Sequence, residues 1–255
     1  MYADTTYMLD FVPENYRKIS YSSSFSVDFI PKEYQDIYIK YLSRYHAISV
    51  REEGGRKIIN DLLGKPASVV LDPTLLLTKR DWTNLALKAE WKKDVPSKYI
   101  LCYTLGYTYN PNEAMASLLT SLQRMYNCPV IFLGRVLPEF KGDVFHFCKN
   151  QGIGVYEFIW LVNNASVFAT SSFHGTAFSV NLGTPFLSLV EKVHQADDRI
   201  PSFLEKVGLA DHLVTLSTEF ERLKSDGTYD VADVQRKLQA MRIKSLEWLK
   251  NAIEG

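Results

Sequence analysis

The chain has 255 residues, enough for one large or two smaller domains, and 46% of them are hydrophobic, ample for a core. Basic and acidic residues number 29 each, so the formal net charge is zero and no overall basic field gathers nucleic acid or an anionic membrane. Any anion must therefore be bound locally. Cys102, Cys128 and Cys148 are widely spaced and form no metal-ligand pattern, so no metal is expected and the thiols read as reduced core residues of a cytoplasmic protein. Met1 to Asp4 lacks the basic start of a secretory signal. The most apolar window, Val155 to Ala169, is interrupted by Asn163 and Asn164 and falls short of the ~18 residues of a membrane span.

Residues 1–16 are polar and aromatic and open without a recognisable element, and Arg17 to Ser22 alternates in part like a strand. Past Pro31, the apolar positions Tyr34, Ile37, Tyr38, Tyr41, Leu42 and Tyr45 recur at three- and four-residue steps and predict an amphipathic helix over 32–45. Ala47 to Val50 reads as a strand, about Arg56 to Leu63 as a helix closed by Gly64, and Val69 to Leu71 as the next strand, ended by Asp72-Pro73. Strands alternating with helices in this way indicate a parallel, doubly wound sheet. Ligands of such sheets sit beyond the carboxyl ends of the strands, where Arg51 and Asp72 both fall. A surface ion pair with a nearby Glu would equally explain Arg51, and Asp72-Pro73 is also a common turn.

Residues 79–97 are charged and lack a long apolar face, which reads as a connector. A second alternating series follows: strand 99–104, helix 112–126, strand 130–133, helix 156–163, strand 167–169, helix 174–182 and strand 186–189. The polar run Glu191 to Pro201 is a candidate substrate loop. Ser202 to Val207 reads as a short helix stopped by Gly208, and Val231 to Ile253 as a long closing helix. The fold class is thus α/β with two Rossmann-like doubly wound domains facing across a cleft. The expected bounds are 1–78 for the first, 79–97 for the connector and 98–255 for the second.

The stretch from Val167 to Val190 carries the sharpest functional signal. Val167 to Ala169 is an apolar strand, Thr170 to Ser172 offer hydroxyls that can cap a helix, and Gly183 with Pro185 ends that helix before the next strand. His174 then falls in or beside the first helical turn, where backbone N–H groups and the helix dipole favour an anion. Gly175 removes a side chain where a ligand could come close. A plain hydrogen-bonded cap histidine has the same spacing.

The segment Thr170-Ser171-Ser172-Phe173-His174-Gly175-Thr176-Ala177-Phe178 resembles the Ser-x-x-His-Gly segment of the polysaccharide pyruvyl transferase family. Lys18 to Phe25, Ile48 to Glu53 and Val70 to Leu77 also stand in the family's order. The resemblance implies a two-domain fold like that of GT-B glycosyltransferases and a pyruvyl group moved from phosphoenolpyruvate onto a sugar of a cell-surface polysaccharide as a ketal. It implies no cofactor, and a saccharide acceptor that is free in the cytoplasm or lipid-linked at the inner face of the membrane. His174 takes the acid/base role under that resemblance. Arg51, Ser172, Gly175 and Arg199 are the substrate-binding set.

Two departures accompany it. Family members begin with roughly a hundred more residues, the length of part of a domain, including a Gly-Asn-x-Gly-Asp type loop that this sequence lacks, so the first domain is expected to be incomplete. Many also carry Arg two residues before the His, where this chain has Ser172; either Arg199 or Arg135 supplies the missing cation, or donor binding is weakened. The alternatives are a nucleotide-sugar glycosyltransferase on the same architecture and a carbohydrate-binding remnant without catalysis.

Overall fold

The computed structural model describes residues 4–105, 109–193 and 196–255. Two compact units divide the chain. Unit 1 comprises Met1–Leu76, His194–Phe203 and Gln239–Gly255, and unit 2 comprises Leu77–Val193 and Leu204–Leu238.

Unit 1 holds β1 (Ile19–Ser23), α1 (Lys32–Leu42), β2 (Ala47–Val50), α2 (Glu53–Leu63) and β3 (Ser68–Val69). The strands form a parallel sheet in the order β1-β2-β3, with Ser20 opposite Ile48 and Val50 opposite Val69. In one core cluster Val50, Ile59 and Ala67 are buried, with Phe25, Leu42 and Ile48 packed against them. Helix α2 starts at Glu53, three residues before the expected Arg56, because Gly54 and Gly55 join its first turn. A Cβ at Gly55 would lie 3.2 Å from Val50 Cβ, so a larger residue there would require that neighbour to shift. The helix ends on Gly64 in the left-handed conformation, whose N–H closes on Asn60 O.

Unit 2 contains α3 (Lys79–Ala86), β4 (Ile100–Tyr103), α4 (Asn112–Tyr126), β5 (Val130–Phe132), α5 (Val155–Asn164), β6 (Val167–Thr170), α6 (Phe173–Leu182), β7 (Phe186–Val190) and β8 (Leu213–Thr215). Helices α7 (Arg199–Val207) and α8 (Val231–Glu254) each have residues in both units. The sheet is parallel throughout, in the order β5-β4-β6-β7-β8. Every residue of β6 and β7 is buried, as expected of central parallel strands covered on both faces. One core cluster runs from Ile100 through Met115, Leu118 and Leu122 to Val167 and Leu187. Both units are therefore α/β with all-parallel sheets.

The stretch expected as a connector carries α3 and belongs to unit 2. A capping box starts that helix, with Thr78 Oγ1 accepting from Asp81 N and the Asp81 carboxylate accepting from Thr78 N. Trp82 then packs edge-on against Phe178 at 5.0 Å. One aromatic anchor replaces the long apolar stripe that its sequence lacks. Helix α7 begins at Arg199, earlier than the expected Ser202, since Pro201 falls in the first turn, where a missing N–H breaks no helical bond. Cys102 and Cys128 are buried free thiols, whereas Cys148 is exposed and is no core residue.

Candidate functional site

In unit 2 the chain passes from β4 to β5 on one side of the sheet and then to β6 on the other side of β4. That reversal makes a topological switch point at the carboxyl ends of β4 and β6, the place where open α/β sheets bind ligands. Hydroxyls hold it together. Thr170 Oγ1 donates to Tyr103 O at 2.8 Å and accepts from Ser172 N at 3.0 Å. Ser171 N donates to Tyr103 O at 3.2 Å, and Ser171 Oγ accepts from Leu105 N at 3.1 Å.

Helix α6 starts from this knot. Ser172 has extended backbone angles and is its N-cap, with Oγ accepting from Gly175 N at 3.3 Å. The Ser172 hydroxyl is thus a helix cap. A Cβ at Gly175 would stand 2.6 Å from Thr170 Oγ1, so the missing side chain brings α6 onto the end of β6 instead of opening space for a ligand. His174 follows the cap by two residues, with its ring 5.4 Å from that of Phe173 in an edge arrangement. It is the exposed residue of α6, whose other nine residues are all buried. An imidazole at this position can accept or donate a proton at the surface of the switch point.

In unit 1 the candidate cation is Arg51, one residue beyond β2. Its Nη1 donates to Asp72 Oδ2 at 2.6 Å, and its side chain is 17% exposed. Its partner is therefore Asp72, although the Glu52 carboxylate lies 3.9 Å from Nε. Asp72 is buried, and its other oxygen accepts from Thr74 N and Thr74 Oγ1 at 3.0 and 2.7 Å. The two residues that sequence placed beyond neighbouring strand ends thus share one ion pair.

Three further groups complete this turn. Glu52 is buried and accepts from Phe25 N at 2.8 Å. Burial pushes its carboxyl above the usual carboxylate range against the bonds from Phe25 and Ser24 and the charge of Arg51; the nearby Asp198 adds to the rise. Asp198 Oδ2 accepts from Gly54 N at 3.2 Å, so a carboxylate from far along the chain caps the start of α2. Tyr21 donates to Leu71 O at 3.0 Å, beside Asp72. Burial raises its phenol to about 12, opposed by a hydrogen bond with Ser245 and assisted by the Asp72 charge. Sequence reasoning singled out none of Glu52, Asp198 and Tyr21 as site residues. Glu52 and Tyr21 stood within quoted motifs, whereas the pairing of Asp198 with Gly54 left no sequence signal.

Arg199 lies in unit 1 at the start of α7, where its fork is taken by Asp197: Nε to Oδ1 at 2.7 Å and Nη2 to Oδ2 at 2.5 Å. His194 and Gln195, within the candidate substrate loop, lie outside the described residues. Arg135, the other candidate cation, follows β5 and lines a cavity of about 770 Å³ with Tyr103, Thr104 and Asn112; His174 does not line it. Among the described residues no group of three or more His, Cys, Asp or Glu could hold a metal ion. Among them, too, no helix is long and apolar enough to cross a membrane.

The model of the family described as "Polysaccharide pyruvyl transferase" matches residues 2–192. That span includes Arg51, Asp72, Ser172, His174 and Gly175 and stops short of Arg199. No curated protein matches the chain. Solved structures similar to it include a glycotransferase of kitacinnamycin, at 11% identity and a TM-score of 0.47, over 87% of this chain and 61% of that one. A trehalose-6-phosphate synthase aligns at 12% identity and a TM-score of 0.48, over 89% and 66%. A putative UDP-N-acetylglucosamine 2-epimerase from Listeria monocytogenes aligns at 12% identity and a TM-score of 0.45, over 78% and 54%. The chain thus spans about three fifths of the first of these, and likenesses this slight carry nothing about chemistry.

Proposed function

The chain belongs to the polysaccharide pyruvyl transferase family, and from that premise we propose that it moves a pyruvyl group from phosphoenolpyruvate onto a saccharide, forming a ketal. The observation that carries the proposal is the family match over residues 2–192, because it takes in both the Arg51 and the His174 turns.

The chemistry needs three things. The methylene carbon of the enol must gain a proton, one sugar hydroxyl must add to the carbon bearing the phosphate, and phosphate must leave as a second hydroxyl of the same sugar takes its place. The two hydroxyls lose two protons; one replaces the proton used on the methylene and the other leaves with phosphate or a base. His174 is assigned to this proton traffic. Its exposure beside buried hydroxyls supports the assignment. Arg51 is assigned to the phosphate or carboxylate of the donor, with Asp72 fixing the guanidinium by one edge. Arg199, whose fork is on Asp197, is given no donor contact. The acceptor is a saccharide, free in the cytoplasm or lipid-linked at the inner face of the membrane.

The test is thermal unfolding with and without millimolar phosphoenolpyruvate, followed by phosphate release once a saccharide acceptor is added. Saturation to 100 times Kd would stabilise the folded chain by about 2.7 kcal/mol. The shift is expected to vanish in Arg51→Ala and to persist in His174→Ala, which instead loses phosphate release. No shift in the unsubstituted chain, or one indifferent to Arg51, overturns the donor assignment.

A further inference from the structure

Arg51 Nη1 lies 2.6 Å from Asp72 Oδ2, so what fixes Asp72 helps to fix the guanidinium. Its own loop does part of this: Thr74 binds Oδ1, and Leu75 N closes on Asp72 O at 2.9 Å. The rest comes from groups remote in sequence. Leu71, just before Asp72, is held at both backbone polar atoms, its N–H on Ser245 Oγ at 2.9 Å and its C=O on the Tyr21 hydroxyl at 3.0 Å. Three residues beyond Asp72, Leu75 O accepts from Arg242 Nε at 2.8 Å. Ser245 and Arg242 are buried residues of α8, and Ser245 is itself anchored on Met241 O at 2.8 Å. Tyr21 belongs to β1, and its ring lies 6.1 Å from Trp248 of α8.

We propose that Tyr21, Ser245 and Arg242 are positioning residues for the Arg51–Asp72 pair. They clamp the backbone on both sides of Asp72, so that the guanidinium is held ready for an anion and need not be ordered when one binds. The proposal rests on Arg51 as the donor cation for its consequence in function, while the clamp itself is a claim about Arg51 alone. Buried hydrogen bonds suit this task because each is directional and leaves an unsatisfied group when broken. The raised phenol of Tyr21 keeps its proton, and hence its donor role, across the neutral range.

Tyr21→Phe removes the hydroxyl and keeps the ring on Trp248, so it tests the clamp with little loss of packing; Ser245→Ala is the harsher companion. Two readouts are needed. The first is the phosphoenolpyruvate concentration giving half of the full thermal shift, expected to rise roughly three- to tenfold in each variant, as for one lost hydrogen bond. The second needs no donor: the rate at which phenylglyoxal modifies Arg51, followed by peptide mass spectrometry. Arg44, in the same unit and paired with Glu14 at 2.7 Å, serves as internal reference. Faster modification at Arg51 with Arg44 unchanged supports the clamp. Equal acceleration at both arginines, or none at Arg51, overturns it, whatever happens to the melting temperature without ligand. If Arg51→Ala leaves the donor shift in place, or no shift exists, the donor reading of Arg51 falls and the modification rates alone decide the clamp. If Arg51→Ala removes the shift while Tyr21→Phe changes neither readout, the donor reading stands and the positioning role is lost.

Discussion

Helices α2 and α6 both start just beyond the carboxyl end of a parallel strand, yet α2 begins among charges and α6 among hydroxyls. At α2 the cap is Asp198, the adjacent guanidinium is matched by Asp72, and a third carboxyl, Glu52, is buried beside them. At α6 the cap is Ser172, backed by Thr170 and Ser171, and His174 is the titratable group of the turn. The difference follows from what burial demands. An arginine 17% exposed needs a counter-charge, and each carboxylate brought in needs donors of its own, so a charged turn recruits partners from distant segments. Hydroxyls donate and accept at once and close their network within a few residues. The proposed division of labour gives the donor anion to Arg51 of the α2 turn and the proton to His174 of the α6 turn.

Removing the movable proton is the strongest way to test that division. His174→Ala should lower turnover by about 10²–10⁴-fold while leaving thermal stability close to that of the unsubstituted chain, because the lost side chain is exposed. Phosphate release with a saccharide acceptor gives the first quantity and a melting curve the second; a large fall in stability would mean that the histidine serves the fold. The packing beneath it is tested by Gly175→Ala. The new Cβ would meet Thr170 Oγ1 at 2.6 Å in a fully buried position, a conflict expected to cost about 1–3 kcal/mol in urea unfolding. Gly152→Ala is the control, since a Cβ there meets nothing within 4 Å. Similar curves for the two variants would remove the steric account of Gly175.

The caps themselves sharpen the comparison further. Ser172→Ala and Asp198→Ala should each cost about 1 kcal/mol, the first more than the second because Ser172 is buried and Gly175 N would be left unsatisfied. Their response to salt should differ. A carboxylate acting on a helix dipole is screened, a hydroxyl bond is not, so raising the ionic strength should shrink the Asp198 effect and leave the Ser172 effect unchanged. Equal salt dependence in the two unfolding series would erase the distinction between a charged and a neutral helix start.

Much of the α6 turn could be read from sequence because its determinants are local. A hydroxyl cap at Ser172, the helix to Leu182 and the stop at Gly183 lie in one run, and the structure keeps that order. Helix α3 escaped because its apolar contact is concentrated in Trp82 and Ala86; the Thr78 and Asp81 capping pair was the signal that could have placed it. Strand β8, Leu213–Thr215, is too short for periodicity to register. The α2 turn was legible only in part. Arg51 and Asp72 were each placed at a strand end, but a pair formed across 21 residues, a cap from 144 residues away and a serine 174 residues from Leu71 are products of tertiary packing. Gly175 was read for the space it leaves, and only the position of Thr170 shows that the space is filled.

Glu52 gives the smallest effect and the most specific one. Burial raises its folded-state pKa above the ordinary carboxylate value, so the native chain holds this proton more tightly than the unfolded chain does. The resulting contribution to stability is complete below the ordinary carboxylate range and is lost as pH rises through the raised value. Glu52→Gln keeps an oxygen to accept from Phe25 N and has no proton to lose. Its stability relative to the unsubstituted chain should therefore climb with pH across that window and level off above it, as followed by urea unfolding at a series of pH values. Curves that stay parallel would mean that Glu52 is no harder to ionise in the fold than in the unfolded chain. A difference that instead shrinks with pH would mean that Arg51 outweighs the burial and that the α2 turn holds Glu52 as a paired anion.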